Sequence, residues 1–118
     1  MLNEARIEDI KCEIRKIEES REESDAFLTK CLLKENEMHE ELQDSIRKLG
    51  LSFEACHNDP RWTALVEERY SLLLSAERCC GESIECMKED QKKISKKCES
   101  EIEDLKQEMQ MLGGEAND

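Results

Sequence analysis

From Ile7 onward, apolar residues return at alternating steps of three and four: Ile7, Ile10, Ile14, Ile17, Leu28, Cys31, Met38, Leu42 and Leu49. That spacing predicts one continuous helical seam. The same register places Arg21, Ser24, Glu35 and Ser45 on the seam, where polar residues cost stability but set register or face a polar partner. No Pro or Gly precedes Gly50, so a helix is predicted over about 2–49, on the order of 70 Å long at 1.5 Å per residue.

The pattern breaks between Gly50 and Pro60. Gly50 suits a helix C-cap, Phe53 and Cys56 are isolated apolar positions, and Asn58-Asp59-Pro60 predicts a restart with Asp59 as N-cap and Pro60 at N1. A second helix is predicted from Pro60 to about Leu112, on a seam of Val66, Tyr70, Leu73, Cys80, Ile84, Met87, Ile94, Cys98, Leu105 and Leu112. Ile102 and Met109 fall one step off strict heptad spacing, a drift toward the 3.6-residue period of a straighter helix. Gly113-Gly114 is expected to end the helix and leave a short disordered tail over 113–118. Gly81 reads as a tolerated helical glycine or as a point of close helix approach.

Two helices of near-equal length joined by a short connection fold back most economically as an antiparallel hairpin. The expected fold is therefore all-α: a single domain over 1–118, an elongated, coiled-coil-like two-helix hairpin with its connection at 50–59, completing a helical bundle with partner chains. Folding about Ala55 brings Leu32-Leu33 near Leu72-Leu73-Leu74. Phe27, Leu32, Leu33 and Ile46, with Trp62, Leu65, Leu72 and Leu74, lie off or beside the seams, and consecutive leucines about 100° apart cannot all face one neighbour. A surplus apolar patch follows, covered either by a second copy in a four-helix bundle or by a different helical protein.

Composition narrows the function. Only 37% of the chain is hydrophobic and 3% aromatic against 41% charged, too little for the inner layer of a sandwich or barrel. The net charge of −12 disfavours nucleic acid and anionic membrane surfaces as partners. No segment approaches the roughly 20 apolar residues that span a bilayer. Glu4, Glu8 and Asp9 stand where a signal peptide would be basic and then apolar, so a cytoplasmic location is expected.

No catalytic constellation is expected. His39 lies on a polar helical stretch, His57 follows Cys56 in the connection, and sequence neighbours rarely present their side chains to one another as nucleophile and base. No serine elbow, phosphate-binding glycine loop or H-E-x-x-H occurs, and no cofactor is implied. The seven cysteines form no C-x-x-C pair, and the spacing of Cys79, Cys80 and Cys86 is poor for zinc. Pairing about Ala55 sets Cys12 level with Cys98 and Cys31 level with Cys79, so a disulfide-stapled hairpin of an oxidising compartment stands beside the reading of free thiols as small apolar residues.

An acidic helix–turn–helix with Trp62 at the entry of its second helix resembles the small WXG-like helical-hairpin partners of type VII secretion, in particular the targeting proteins that accompany LXG-domain toxins. The family holds Trp-x-Gly in its turn, whereas Arg61-Trp62-Thr63-Ala64 has Ala in the Gly position. The family's secretion signal, an aromatic followed four residues later by an acid, has no match, since Tyr70 is followed at that distance by Leu74. The resemblance implies a non-enzymatic adaptor or chaperone that binds the helical N-terminal domain of a toxin, beside a second small hairpin, and helps target it for export. It places this chain in the cytoplasm, with co-secretion left open. On that reading Leu32, Leu33, Trp62, Leu65, Leu72 and Leu74 form the partner-binding surface. The alternatives are a self-associating structural coiled coil and the stapled hairpin.

Overall fold

The computed structural model describes residues 2–56 and 58–117, and these form two helices, α1 (Leu2–Cys56) and α2 (Pro60–Asn117), with no strand among them. The fold is the expected all-α helical hairpin. The helices run antiparallel, with Arg6 facing Glu108, Arg21 facing Ser95, Glu35 facing Cys80 and His39 facing Glu77.

The restart of the chain follows the local chemistry. The Asp59 carboxylate accepts the Arg61 N–H at 3.0 Å, and the Asp59 carbonyl accepts the Thr63 N–H at 2.9 Å. Asp59 is thus the N-cap and Pro60 the first helical residue, where its lack of an N–H costs nothing.

The end of α1 departs from expectation. The helix passes through Gly50 and continues to Cys56, so the connection is three residues rather than about ten. No glycine has a positive φ among the described residues, so Gly50 is not a C-cap. Its place in the seam supplies the reason: Leu49 and Phe53 are half-buried, and Phe53 lies beside Val66 and Tyr70 across the turn. Packing of that last turn outweighs the roughly 1 kcal/mol cost of a helical glycine. Likewise α2 does not stop at Gly113-Gly114 but is helical to Asn117.

The chain divides into two compact units. One joins α1 up to Leu28 with α2 from Glu89 onward. Ile10 is completely buried there, while Ile14, Ile17, Leu28, Ile94, Ile102, Leu105, Met109 and Leu112 are half-buried. Arg6 makes a two-pronged contact with the Glu108 carboxylate, at 3.0 and 3.2 Å. Arg21 donates to the Ser95 hydroxyl and to Glu99. The seam of α2 steps by four twice, Ile94 to Cys98 to Ile102, the drift anticipated from Ile102 and Met109.

The other unit, Thr29–Lys88, carries the turn. Val66, Cys80 and Ile84 are buried, and Leu42, Ile46, Leu49, Phe53, Leu73 and Met87 are half-buried around them. Here the seam of α1 slips by one position. After Cys31 and Glu35 the inward residue is His39 rather than Met38, and Ile46 rather than Ser45; Met38 and Ser45 are exposed. An extra step of four restores the 3.6-residue period after a run of strict 3.5 spacing. Tyr70, expected on the seam, is also exposed.

These pairs place the symmetry of the hairpin at positions 57–58 and not at Ala55, which moves the cross-helix partners by four to six residues, about 6–9 Å of rise. Cys80 is level with Glu35 and Glu77 with His39, so Cys79 falls more than a helical turn from the level of Cys31, and Cys98 is level with the turn from Ile17 to Arg21, beyond reach of Cys12. A disulfide needs Cα atoms within about 7 Å, so neither expected staple forms. The six described thiols, at Cys12, Cys31, Cys79, Cys80, Cys86 and Cys98, are all free. Cys56 as a side chain and His57 lie outside the described residues.

Candidate interaction surface

Four hydrophobic residues, Ile10, Val66, Cys80 and Ile84, are buried among the described residues. Against them, eleven large hydrophobic residues are exposed among the described residues, and their distribution defines the candidate site.

Trp62, Leu65 and Leu72 occupy one side of α2, at spacings that return to the same face of a helix. Leu72 is 65% exposed, and Trp62 and Leu65 are about two-fifths exposed. Leu74 is on the opposite side with Tyr70, one turn away. Leu33 is 60% exposed and two positions from the inward-facing Glu35, so it points away from α2, while its neighbour Leu32 is half-buried. The structure thus brings Trp62, Leu65 and Leu72 together and separates Leu33 and Leu74 from them. The expected patch joining Leu32-Leu33 to Leu72-Leu74 is not formed. With the symmetry at 57–58, Leu72 and Leu73 stand beside Ser45 and Leu49, twelve to sixteen positions or about 18–24 Å along the helix from Leu33.

A pair of helices has two lateral grooves, and near the turn these differ in charge. One is an open groove of about 420 Å³ lined by Gly50, Phe53, Glu54, Val66, Glu67 and Tyr70, apolar with two carboxylates. The other, about 560 Å³, is lined by Ser45, Lys48, Leu49, Ser52, Arg69, Leu72 and Leu73, apolar with two cations and no carboxylate. Lys48 is paired with Asp44 at 2.9 Å, which Arg47 also contacts at 2.6 Å, whereas Arg69 has no carboxylate partner among the described residues. Neither Lys48 nor Arg69 was part of the expected surface. The signal in the chain was local: the positions three and four away from Arg69 are Leu65, Val66, Leu72 and Leu73, so no helical neighbour can neutralise it.

Further along the same unit a polar layer interrupts the seam. His39 Nε2 lies 2.7 Å from Glu77 Oε1, and the Cys80 thiol donates to the Glu35 carboxylate at 3.2 Å and to the Glu35 carbonyl at 3.3 Å. Burial raises the pKa of Cys80, and the nearby Glu35 and Glu77 carboxylates raise it further, so the thiol stays protonated and unreactive. A Cβ at Gly81 would meet His39 Nε2 at 3.8 Å, an ordinary contact, which favours the tolerated-glycine reading over a forced close approach. This layer and the Arg21 contacts give two of the polar seam residues, Glu35 and Arg21, register-setting partners; Ser24 instead borders a groove with Phe27 and Lys93.

Arg61-Trp62-Thr63-Ala64 lies within the first turns of α2 and not in the connection, so an alanine rather than a flexible glycine is sterically natural there. No group of three or more His, Cys, Asp or Glu residues is placed to hold a metal among the described residues, and no described helix is long and apolar enough to cross a membrane. In comparisons with known proteins, no family model, no curated protein and no solved structure matches this chain.

Proposed function

We propose that the chain is a non-enzymatic helical adaptor that shields an apolar stripe on another helical protein, acting from the cytoplasm. The observation that carries this reading is the excess of exposed large apolar side chains, Leu33, Trp62, Leu65, Leu72 and Leu74 among them, over the four hydrophobic residues buried among the described residues. An elongated helical client has the complementary problem, and laying a hairpin along it removes apolar surface from water at roughly 25 cal/mol per Å². The resemblance of the sequence to WXG-like partners makes the client the helical N-terminal domain of an LXG-type toxin, with a second small hairpin in the same assembly and a type VII machine as destination. That identity rests on the resemblance alone.

Co-expression with the helical N-terminal domain of an LXG-type toxin tests the proposal. The expected result is a stoichiometric complex that survives size exclusion. The double variant Leu33→Glu/Leu72→Glu is expected to lose it, because each carboxylate forfeits a leucine's burial and adds a desolvation cost, on the order of 3 kcal/mol or a hundredfold in Kd per site that is buried. A wild-type chain that ignores the client and forms a salt-tolerant homodimer with Leu72 covered would replace the adaptor with a self-associating structural protein.

A further inference from the structure

We infer that the groove lined by Leu49, Leu72, Leu73, Lys48 and Arg69 docks an acidic amphipathic helix, with Arg69 receiving a carboxylate of the docked chain. The inference rests on the adaptor reading and adds the site and the charge of the partner. Three observations carry it. First, the groove has an apolar floor and an exposed wall, Leu72, whose burial needs an apolar stripe opposite. Second, on a chain with 30 acidic and 18 basic residues, the described residues that line this groove include two cations, Arg69 and the Asp44-paired Lys48, and no carboxylate, against the trend of the surface. The nearest acidic position in sequence, Glu68, is about 100° round the helix from Arg69. Third, among the described residues Arg69 has no carboxylate partner, and an arginine between leucines pairs more strongly with a carboxylate once water is excluded.

A second copy of this chain is the poorer occupant. The acidic groove with Glu54 and Glu67 lies on the other side of the hairpin, so copies joined groove to groove would meet through different faces and propagate without closing, while each added copy brings a further charge of −12.

The sole tryptophan, Trp62, two turns from Arg69 on the same side of α2, is a built-in reporter. Two synthetic 21-residue helical peptides sharing one leucine stripe, flanked by Glu in one and by Lys in the other, are titrated into the full chain at about 150 mM salt, where the Debye length near 8 Å screens the distant charges. Peptide anisotropy and Trp62 emission are followed together. The Glu-flanked peptide is expected to bind about tenfold more tightly, although the net charge of the chain alone favours the Lys-flanked one. Arg69→Glu is expected to reverse the preference, and Glu67→Gln in the opposite groove to leave it unchanged; circular dichroism confirms that both variants remain helical.

Equal affinity for the two peptides, or a preference that survives Arg69→Glu, overturns the inference. So does a concentration-dependent dimer in sedimentation that Leu72→Glu dissolves, which assigns the groove to a second copy. If a helical client is captured equally by wild type and Arg69→Glu, the groove assignment fails while the adaptor reading stands. If neither a client nor either peptide binds, both fail.

Discussion

Gly50→Ala decides where the first helix ends, and its sign is the informative quantity. In the structure Gly50 is helical, its φ is not positive, and an added Cβ would meet nothing within 4 Å. Alanine then gains the full helix-propensity difference, about 1 kcal/mol, with no steric cost. An unfolding entropy of about 2.1 cal/mol/K per residue makes that a rise in Tm of about 4 °C for a chain of 118 residues. Had Gly50 capped the helix in a left-handed conformation, the same substitution would cost about 1–2 kcal/mol and lower Tm by a similar margin or more. The measurement is a thermal melt by circular dichroism at 222 nm, at two protein concentrations so that association does not masquerade as stability. A fall in Tm refutes the passage of α1 through Gly50, and with it the symmetry at 57–58 that separates Cys12 from Cys98 and Leu33 from Leu72. Gly81→Ala, whose Cβ makes an ordinary contact with His39, serves as the internal comparison and is expected to be neutral or stabilising.

Other substitutions separate core from surface. Ile10→Ala removes the one completely buried large side chain among the described residues and is expected to cost about 3 kcal/mol in urea unfolding, whereas Leu72→Ala in the free chain changes stability by less than about 0.5 kcal/mol. Equal effects would contradict the burial pattern. Iodoacetamide at about pH 8 is expected to label the exposed Cys12, Cys79 and Cys86 well before Cys80, followed by peptide mass mapping; early modification of Cys80 would dissolve the polar layer as described. The raised pKa of Cys80 means that its contribution to stability is complete below the ordinary thiol range and disappears as pH climbs through the raised value, so Cys80→Ala flattens the alkaline limb of the stability profile. Asp44 behaves oppositely. Hydrogen bonds from Arg47 and then Lys48 lower its pKa, so its contribution is present above the usual carboxylate pKa and is lost as pH falls through the lowered one; Asp44→Asn is expected to reduce the acid-side slope in urea midpoints taken below about pH 5.

The chain by itself determined the helices, their antiparallel return and the restart at Asp59-Pro60, because periodicity, capping and a proline's missing N–H are local properties that act before any packing. It also determined that apolar residues exceed what one seam per helix can hide. Tertiary packing decided the rest. Phe53 against Val66 carried α1 past a glycine that local rules read as a stop, and the resulting shift of a few residues changed which side chains face each other across the hairpin. That shift moved the cysteines out of level, exchanged Met38 for His39 at the interface, and split the expected patch, with Leu72 in a leucine and arginine groove on one side, Leu74 on the other and Leu33 apart from both. The physical reason is that helix propensity fixes each rod only to within about 1 kcal/mol per residue, whereas the register between rods is a collective property of every contact along them.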